Sequence, residues 1–88
     1  MSAKPVTKKR SYHYSFKLPD GLFVGRMGFH APLTPQPVSH AIWYSVEGIA
    51  SKRHEILTLF PTARIVPTPR FNDESNEWET PVNVPNLN

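Results

Sequence analysis

Along residues 11–18 polar and apolar side chains alternate strictly: Ser11, Tyr12, His13, Tyr14, Ser15, Phe16, Lys17, Leu18. A period of two predicts a half-buried β-strand. Pro19-Asp20-Gly21 is a turn signal, and residues 22–29 predict the returning strand of a hairpin. Two registers compete. A loop of even length sets Leu18 opposite Phe23, Phe16 opposite Gly25, Tyr14 opposite Met27 and Tyr12 opposite Phe29, so that one face is almost wholly apolar. A three-residue loop better suits proline at the second position of a type I turn, but it mixes polar and apolar groups on both faces. A one-residue slip moves every side chain across the sheet, so the core decides, and the even register is expected. Tyr12, Tyr14 and Phe16 then point inward.

Residues 31–37 carry three prolines and predict an extended path, neither helix nor central strand. From 38 to 60 the period changes. Val38, Ile42, Val46, Ile49, Ile56 and Phe60 fall on one helical stripe, flanked by Trp43, Ala50 and Leu57, and Pro61 stops the run. Arg53 sits almost at the centre of that stripe, so either the helix breaks near residues 48–51 or Arg53 snorkels out of the core edge. Ala63–Val66 predicts a third strand, with Pro67 and Pro69 confining its continuation to a sheet edge and leaving room for a cis bond beside it.

The expected fold is α+β: a small two-layer domain over residues 11–70, in which an antiparallel β-hairpin and a third strand pack on one helix (ββαβ). Residues 1–10 read as a flexible basic arm. Residues 71–88, rich in Asn, Glu and Pro, read as a flexible acidic tail in which Trp78, Val82, Val84 and Leu87 stand out as apolar anchors.

Composition narrows the possibilities. The 88 residues contain ten prolines and no cysteine, so disulfides, thiol nucleophiles and thiolate metal sites are excluded. No apolar run approaches the ~20 residues of a membrane span, and no apolar stretch follows the N-terminal cations as a secretory signal requires. A cytoplasmic protein without membrane attachment is the expectation. The net charge of +3 is unevenly spread. Residues 1–30 hold six cations against Asp20 alone, whereas residues 71–88 hold Asp73, Glu74, Glu77 and Glu79 with no cation. A basic head with an acidic tail suits either plain solubility or a partner of complementary charge.

Catalytic chemistry finds little support. Glu47 and Glu55 lie about 12 Å apart along a helix and share no substrate atom. His13, His30, His40 and His54 lack the helical spacing of a zinc pair, although the expected register makes His13 and His30 diagonal neighbours. There is no nucleophile elbow or phosphate-cradling loop. The expectation is a protein that is not an enzyme, with no cofactor, no metal and no small-molecule substrate.

Two binding readings remain. Lys8, Lys9 and Arg10 run directly into Tyr12 and Tyr14, with Lys17 and Arg26 on the hairpin, which suits phosphate attraction and base stacking. Inward-pointing tyrosines remove the stacking platform, however. Protein–protein contact is therefore expected first, through Lys8, Lys9, Arg10, Arg26, Trp43 and Trp78, with an open hairpin edge that a partner strand extends. The basic head suggests a nucleic-acid-processing partner, and the profile fits an accessory or inhibitor protein of viral or mobile-element type. Direct binding of DNA or RNA through the arm and hairpin is the alternative.

Overall fold

The computed structural model describes residues 12–88, so the expected basic arm and its Lys8, Lys9 and Arg10 lie outside the described residues. The architecture is α+β, with one α-helix and antiparallel sheets. In chain order come β1 (Tyr14–Lys17), β2 (Phe23–Gly25), β3 (Thr34–Gln36), a single 3-10 turn (Val38–His40), α1 (Val46–Leu59), β4 (Arg64–Pro67), β5 (Arg70–Asn72) and β6 (Glu77–Glu79). The main sheet has the order β3-β2-β1-β4, and β5 and β6 pair as a separate hairpin.

The first hairpin forms in the register that its turn chemistry asks for, not the expected even one. Lys17 faces Phe23. Leu18 N–H donates to the Leu22 carbonyl at 2.7 Å, and Gly21 N–H donates to the Leu18 carbonyl at 3.0 Å. This leaves a three-residue loop with Pro19 second in the turn and Gly21 in the left-handed region at φ 92°. The Asp20 carboxylate accepts Leu22 N–H at 3.0 Å and tightens it. Turn chemistry therefore overrides the tidier apolar face. Phe23 moves to the Lys17 side of the sheet and is buried there, with the Lys17 ammonium 5.8 Å from its ring centre.

The returning strand is also shorter than expected. β1 and β2 share the one pair and then splay, and the extended chain 41–44 enters the gap. Ile42 N–H donates to the Val24 carbonyl at 3.3 Å, and Tyr44 exchanges two 2.8 Å hydrogen bonds with Tyr14. Gly25 makes this possible, because a Cβ there would overlap the His40 carbonyl oxygen. Met27 and Phe29, expected in the core opposite Tyr14 and Tyr12, lie instead in an exposed loop that turns at residues 28–31. His30 goes with them and packs on Phe29, away from His13.

The expected 38–60 helix is cut to its second half. Ser45 caps it, its hydroxyl accepting Gly48 N–H at 3.0 Å, with Glu47 in the first turn. Upstream, Val38 lies in the 3-10 turn and Ile42 in extended chain, so their place on the apolar stripe does not make them part of the helix. The helix continues unbroken through residues 48–51. Only Ile49 and Ile56 bury fully, and they pack on Tyr14, Phe16, Leu18, Val24 and Ile65. Tyr14 and Phe16 are buried as expected, whereas Tyr12 is half-buried at the edge. Arg53 projects outward, and its guanidinium donates to the Leu87 carbonyl at 2.8 Å.

After Pro61, β4 pairs antiparallel with β1, placing Ile65 opposite Phe16. No cis peptide bond occurs among the described residues, so the room left for one near Pro67 and Pro69 is not used. Residues 71–88, read as a flexible tail, hold most of the second hairpin and then a segment laid along the domain. Val84 and Leu87 pack against the core, while Val82 stays exposed. The Tyr14 hydroxyl donates to the Pro85 carbonyl at 3.0 Å. The Asn88 side-chain amide both donates to and accepts from the Ile65 backbone at 2.7 Å.

The expected open strand edge is absent at both ends of the main sheet. Val24 turns its carbonyl toward chain 41–44, so Phe23 and Gly25 face β3, and Pro35 at the centre of β3 points outward with no N–H to offer. On β4 the outward N–H of Ile65 is taken by Asn88, and Pro67 has none.

Candidate functional site

A groove of about 980 Å³ runs between the start of β1, chain 38–43 and the β5–β6 hairpin. One wall carries Trp43. The bridge from Tyr44 to Tyr14 fixes its backbone, and its indole meets the His13 ring edge-to-face, with centroids 4.5 Å apart at 73°. His13 is held in turn by its carbonyl, which accepts Thr68 N–H at 2.9 Å. The other wall carries Phe71 and Trp78, cross-strand partners on β5 and β6 with centroids 5.4 Å apart at 67°. Edge-to-face pairs of this kind favour one relative orientation of the rings.

The hairpin that presents Phe71 and Trp78 is built by Asn72. Its side-chain oxygen accepts the N–H groups of Glu74 and Ser75, its carbonyl accepts Asn76 N–H at 2.7 Å, and Asn76 closes the loop in the left-handed region at φ 61°. Pro67, Pro69 and Pro81 line the floor and margin. They stiffen the walls and contribute no backbone donors.

Of the eight exposed large apolar side chains among the described residues, four gather here. Trp43 is 60 % exposed, Trp78 44 %, Phe71 45 % and Val82 80 %, and all four line the groove. In a domain with so small a core, four large apolar side chains left in water on one surface mark an interaction site. The charge around it is acidic. Arg70 and Glu79 line the groove, while Asp73, Glu74 and Glu77 stand on the same hairpin, giving four carboxylates against one guanidinium.

Of the six expected contact residues, Trp43 and Trp78 come together in this groove. Arg26 does not. It lies past the end of β2, donates to the Phe29 carbonyl at 3.2 Å, and sits near enough to Tyr44 to favour its phenolate, although burial outweighs that and keeps the Tyr44 pKa raised. Lys8, Lys9 and Arg10 lie outside the described residues. Sequence reasoning missed Phe71 and His13 as partners of the two indoles. The signal for Phe71 was available: Arg70-Phe71-Asn72 and Glu77-Trp78-Glu79 are polar–aromatic–polar triplets flanking a stretch of turn-forming residues. Nothing local signals the pairing of His13 with Trp43, which depends on chain 41–44 entering the sheet.

Among the described residues no three His, Asp or Glu side chains converge as a metal site would require, and no helix is long and apolar enough to cross a membrane. Comparison with family models, curated proteins and solved structures gives no match to this chain. The chemistry of the groove is therefore what a functional reading has to work from.

Proposed function

We propose that the chain is a non-enzymatic binding protein acting by protein–protein contact, with the Trp43–Trp78 groove as its docking site. One observation supports this above the rest. Two tryptophans far apart in sequence converge on one groove and keep about half their surface in water. Buried aromatic anchors carry a disproportionate share of binding energy at protein interfaces, and rigid edge-to-face pairs lose little freedom when covered. The partner is a nucleic-acid-processing protein or complex, a class suggested by the clustered cations Lys8, Lys9 and Arg10 in the sequence. An accessory or inhibitory role of viral or mobile-element type fits so small a chain.

The test is affinity capture with the wild-type chain and with Trp43→Ala/Trp78→Ala. A partner retained by the wild type and lost by the double variant supports docking at the groove. Equal capture by both removes the groove from the reading.

Direct DNA or RNA binding is the second reading. It draws on one observation: Lys17 and Arg64 face each other across β1 and β4, both exposed, a like-charge pair that a phosphate would relieve. Against it, Tyr14 and Phe16 are buried and unavailable for stacking. A mobility shift with short single-stranded and duplex oligonucleotides at low salt decides the matter, because phosphate-driven binding is strongest there. No shift eliminates the second reading.

A further inference from the structure

We infer that the groove takes a basic, extended, proline-containing peptide segment of the protein partner. The inference rests on the docking reading above and specifies the chemistry of what docks.

Three observations carry it. The first concerns the backbone. Adding a strand requires a row of unpaired N–H groups, and the main sheet has none on offer: Pro35 faces out from β3, and Asn88 occupies Ile65 on β4. Within the groove, Pro67, Pro69 and Pro81 likewise present no N–H. Main-chain pairing with the main sheet is thus a poor means of recognition. A polyproline II segment makes no demand for it, because its own backbone stays solvated and its rings pack on aromatic faces.

The second is the aromatic geometry. Trp43 and Trp78 both line the groove, each packed edge-to-face with an aromatic neighbour and each left about half exposed. Such a slot receives flat or ring-shaped groups and the guanidinium or ammonium of a cationic side chain, which the ring face attracts.

The third is charge. The hairpin beside the groove holds Asp73, Glu74, Glu77 and Glu79 against Arg70 alone, and of these Arg70 and Glu79 line the groove itself. That surplus repels a phosphate backbone and draws in Lys- and Arg-bearing segments. Such segments belong to proteins that themselves handle nucleic acid. Residues 4–10 of this chain, Lys-Pro-Val-Thr-Lys-Lys-Arg, have the same chemistry, which makes a second copy the occupant to exclude.

The experiment uses the full chain and fluorescein-labelled peptides of about ten residues, ~31 Å long as polyproline II. One peptide alternates Pro with Lys and Arg, a second replaces the cations with Glu, and a third replaces Pro with Gly. Binding is read by anisotropy and by the two indole N–H resonances. The basic peptide is expected to shift both indoles. Trp43→Ala and Trp78→Ala are each expected to weaken it by about tenfold or more, as truncating an interface anchor does. Glu77→Lys/Glu79→Lys is expected to weaken it and flatten its salt dependence, and its dispersed spectrum shows that the fold is retained.

Five results overturn the inference. If the Glu peptide binds as well and still needs Trp43, the basic chemistry is wrong while docking at the groove stands. If the Gly peptide binds as well, the polyproline form is wrong. If an oligonucleotide shifts the indoles at 0.15 M salt and the basic peptide does not, the ligand is nucleic acid. If the chain self-associates and a synthetic 1–11 peptide reverses this, the occupant is a second copy. Silence of both indoles toward every peptide also refutes it, and partner capture by wild type against Trp43→Ala/Trp78→Ala then tells whether the docking reading survives.

Discussion

At the scale of single residues, Gly25 and Tyr14 explain most about why the sheet takes its shape. Gly25 is needed for space, not for dihedral freedom. Its missing Cβ lets the His40 carbonyl lie against the strand, and with it the segment that carries Trp43. Backbone cannot swing aside as a long side chain can. Gly25→Ala is expected to cost about 2 kcal/mol or more, in the range of overpacked cores. A urea midpoint unchanged from wild type would show that the close approach is dispensable. Tyr14 is 1 % exposed, and its hydroxyl reaches the Pro85 carbonyl. Burial, reinforced by the neighbouring Tyr12, raises its pKa, and burial raises that of Tyr44 as well. The native state therefore holds these protons after the unfolded chain has begun to release them near pH 10. Stability conferred by the protonated phenols is whole below that pH and falls as pH rises further. Urea midpoints between pH 8 and 11 are expected to drop above about pH 10, and Tyr14→Phe to flatten part of the drop while costing about 1 kcal/mol at neutral pH. A Tyr14→Phe profile as steep as wild type would assign the alkaline transition elsewhere.

At the scale of elements, legibility followed local chemistry. The hairpin at Pro19-Asp20-Gly21, the stop at Pro61 and the extended path of residues 31–37 were readable because each depends on a few adjacent residues. The register was misread because one apolar face was preferred over the turn that proline and glycine specify. The helix start was misread for a related reason. Periodicity extends through Val38 and Ile42 although Ser45 is the capping residue; Val38 lies in the 3-10 turn, and chain 41–44 is held extended by partners on β1 and β2 that no local pattern reveals. Half of the candidate site was equally visible, since Trp43 and Trp78 stood out as apolar residues in polar surroundings. Their convergence was not, because it requires both the wedge of chain 41–44 and the Asn72-built hairpin. The cap has its own consequence. With its hydroxyl removed, Gly48 N–H loses its acceptor, and Ser45→Ala is expected to lower stability by about 1 kcal/mol. Because Trp43 lies two residues upstream, an indole resonance for Trp43 that stays put in this variant would separate helix capping from groove geometry.

At the scale of the whole molecule, residues 84–88 do the work of a missing layer. They tie α1 to the paired strands β1 and β4: Pro85 receives Tyr14 of β1, Leu87 receives Arg53 of α1, and Asn88 pairs with Ile65 of β4. The Asn88 amide reproduces the paired donor and acceptor of a neighbouring strand residue, so β4 is finished by a side chain in place of a strand. Pro35 performs the equivalent service on β3 by subtracting a donor. An exposed sheet edge is a template for pairing with another copy, and a chain with little core to spare gains from closing both. The two devices make opposite demands on stability. Asn88→Ala strips hydrogen bonds from a partly buried backbone, and is expected to cost about 1–2 kcal/mol and to speed amide exchange at Ile65. Pro35→Thr restores an N–H on an exposed edge and is expected to change stability little, since Pro35 is itself exposed. Combined, they open both ends of one sheet. The double variant is expected to show concentration-dependent association in sedimentation at concentrations where each single variant stays monomeric. Association of Asn88→Ala alone, with Pro35 intact, would mean that the β3 edge was never the limiting one and that the C-terminal segment is the only guard the sheet has.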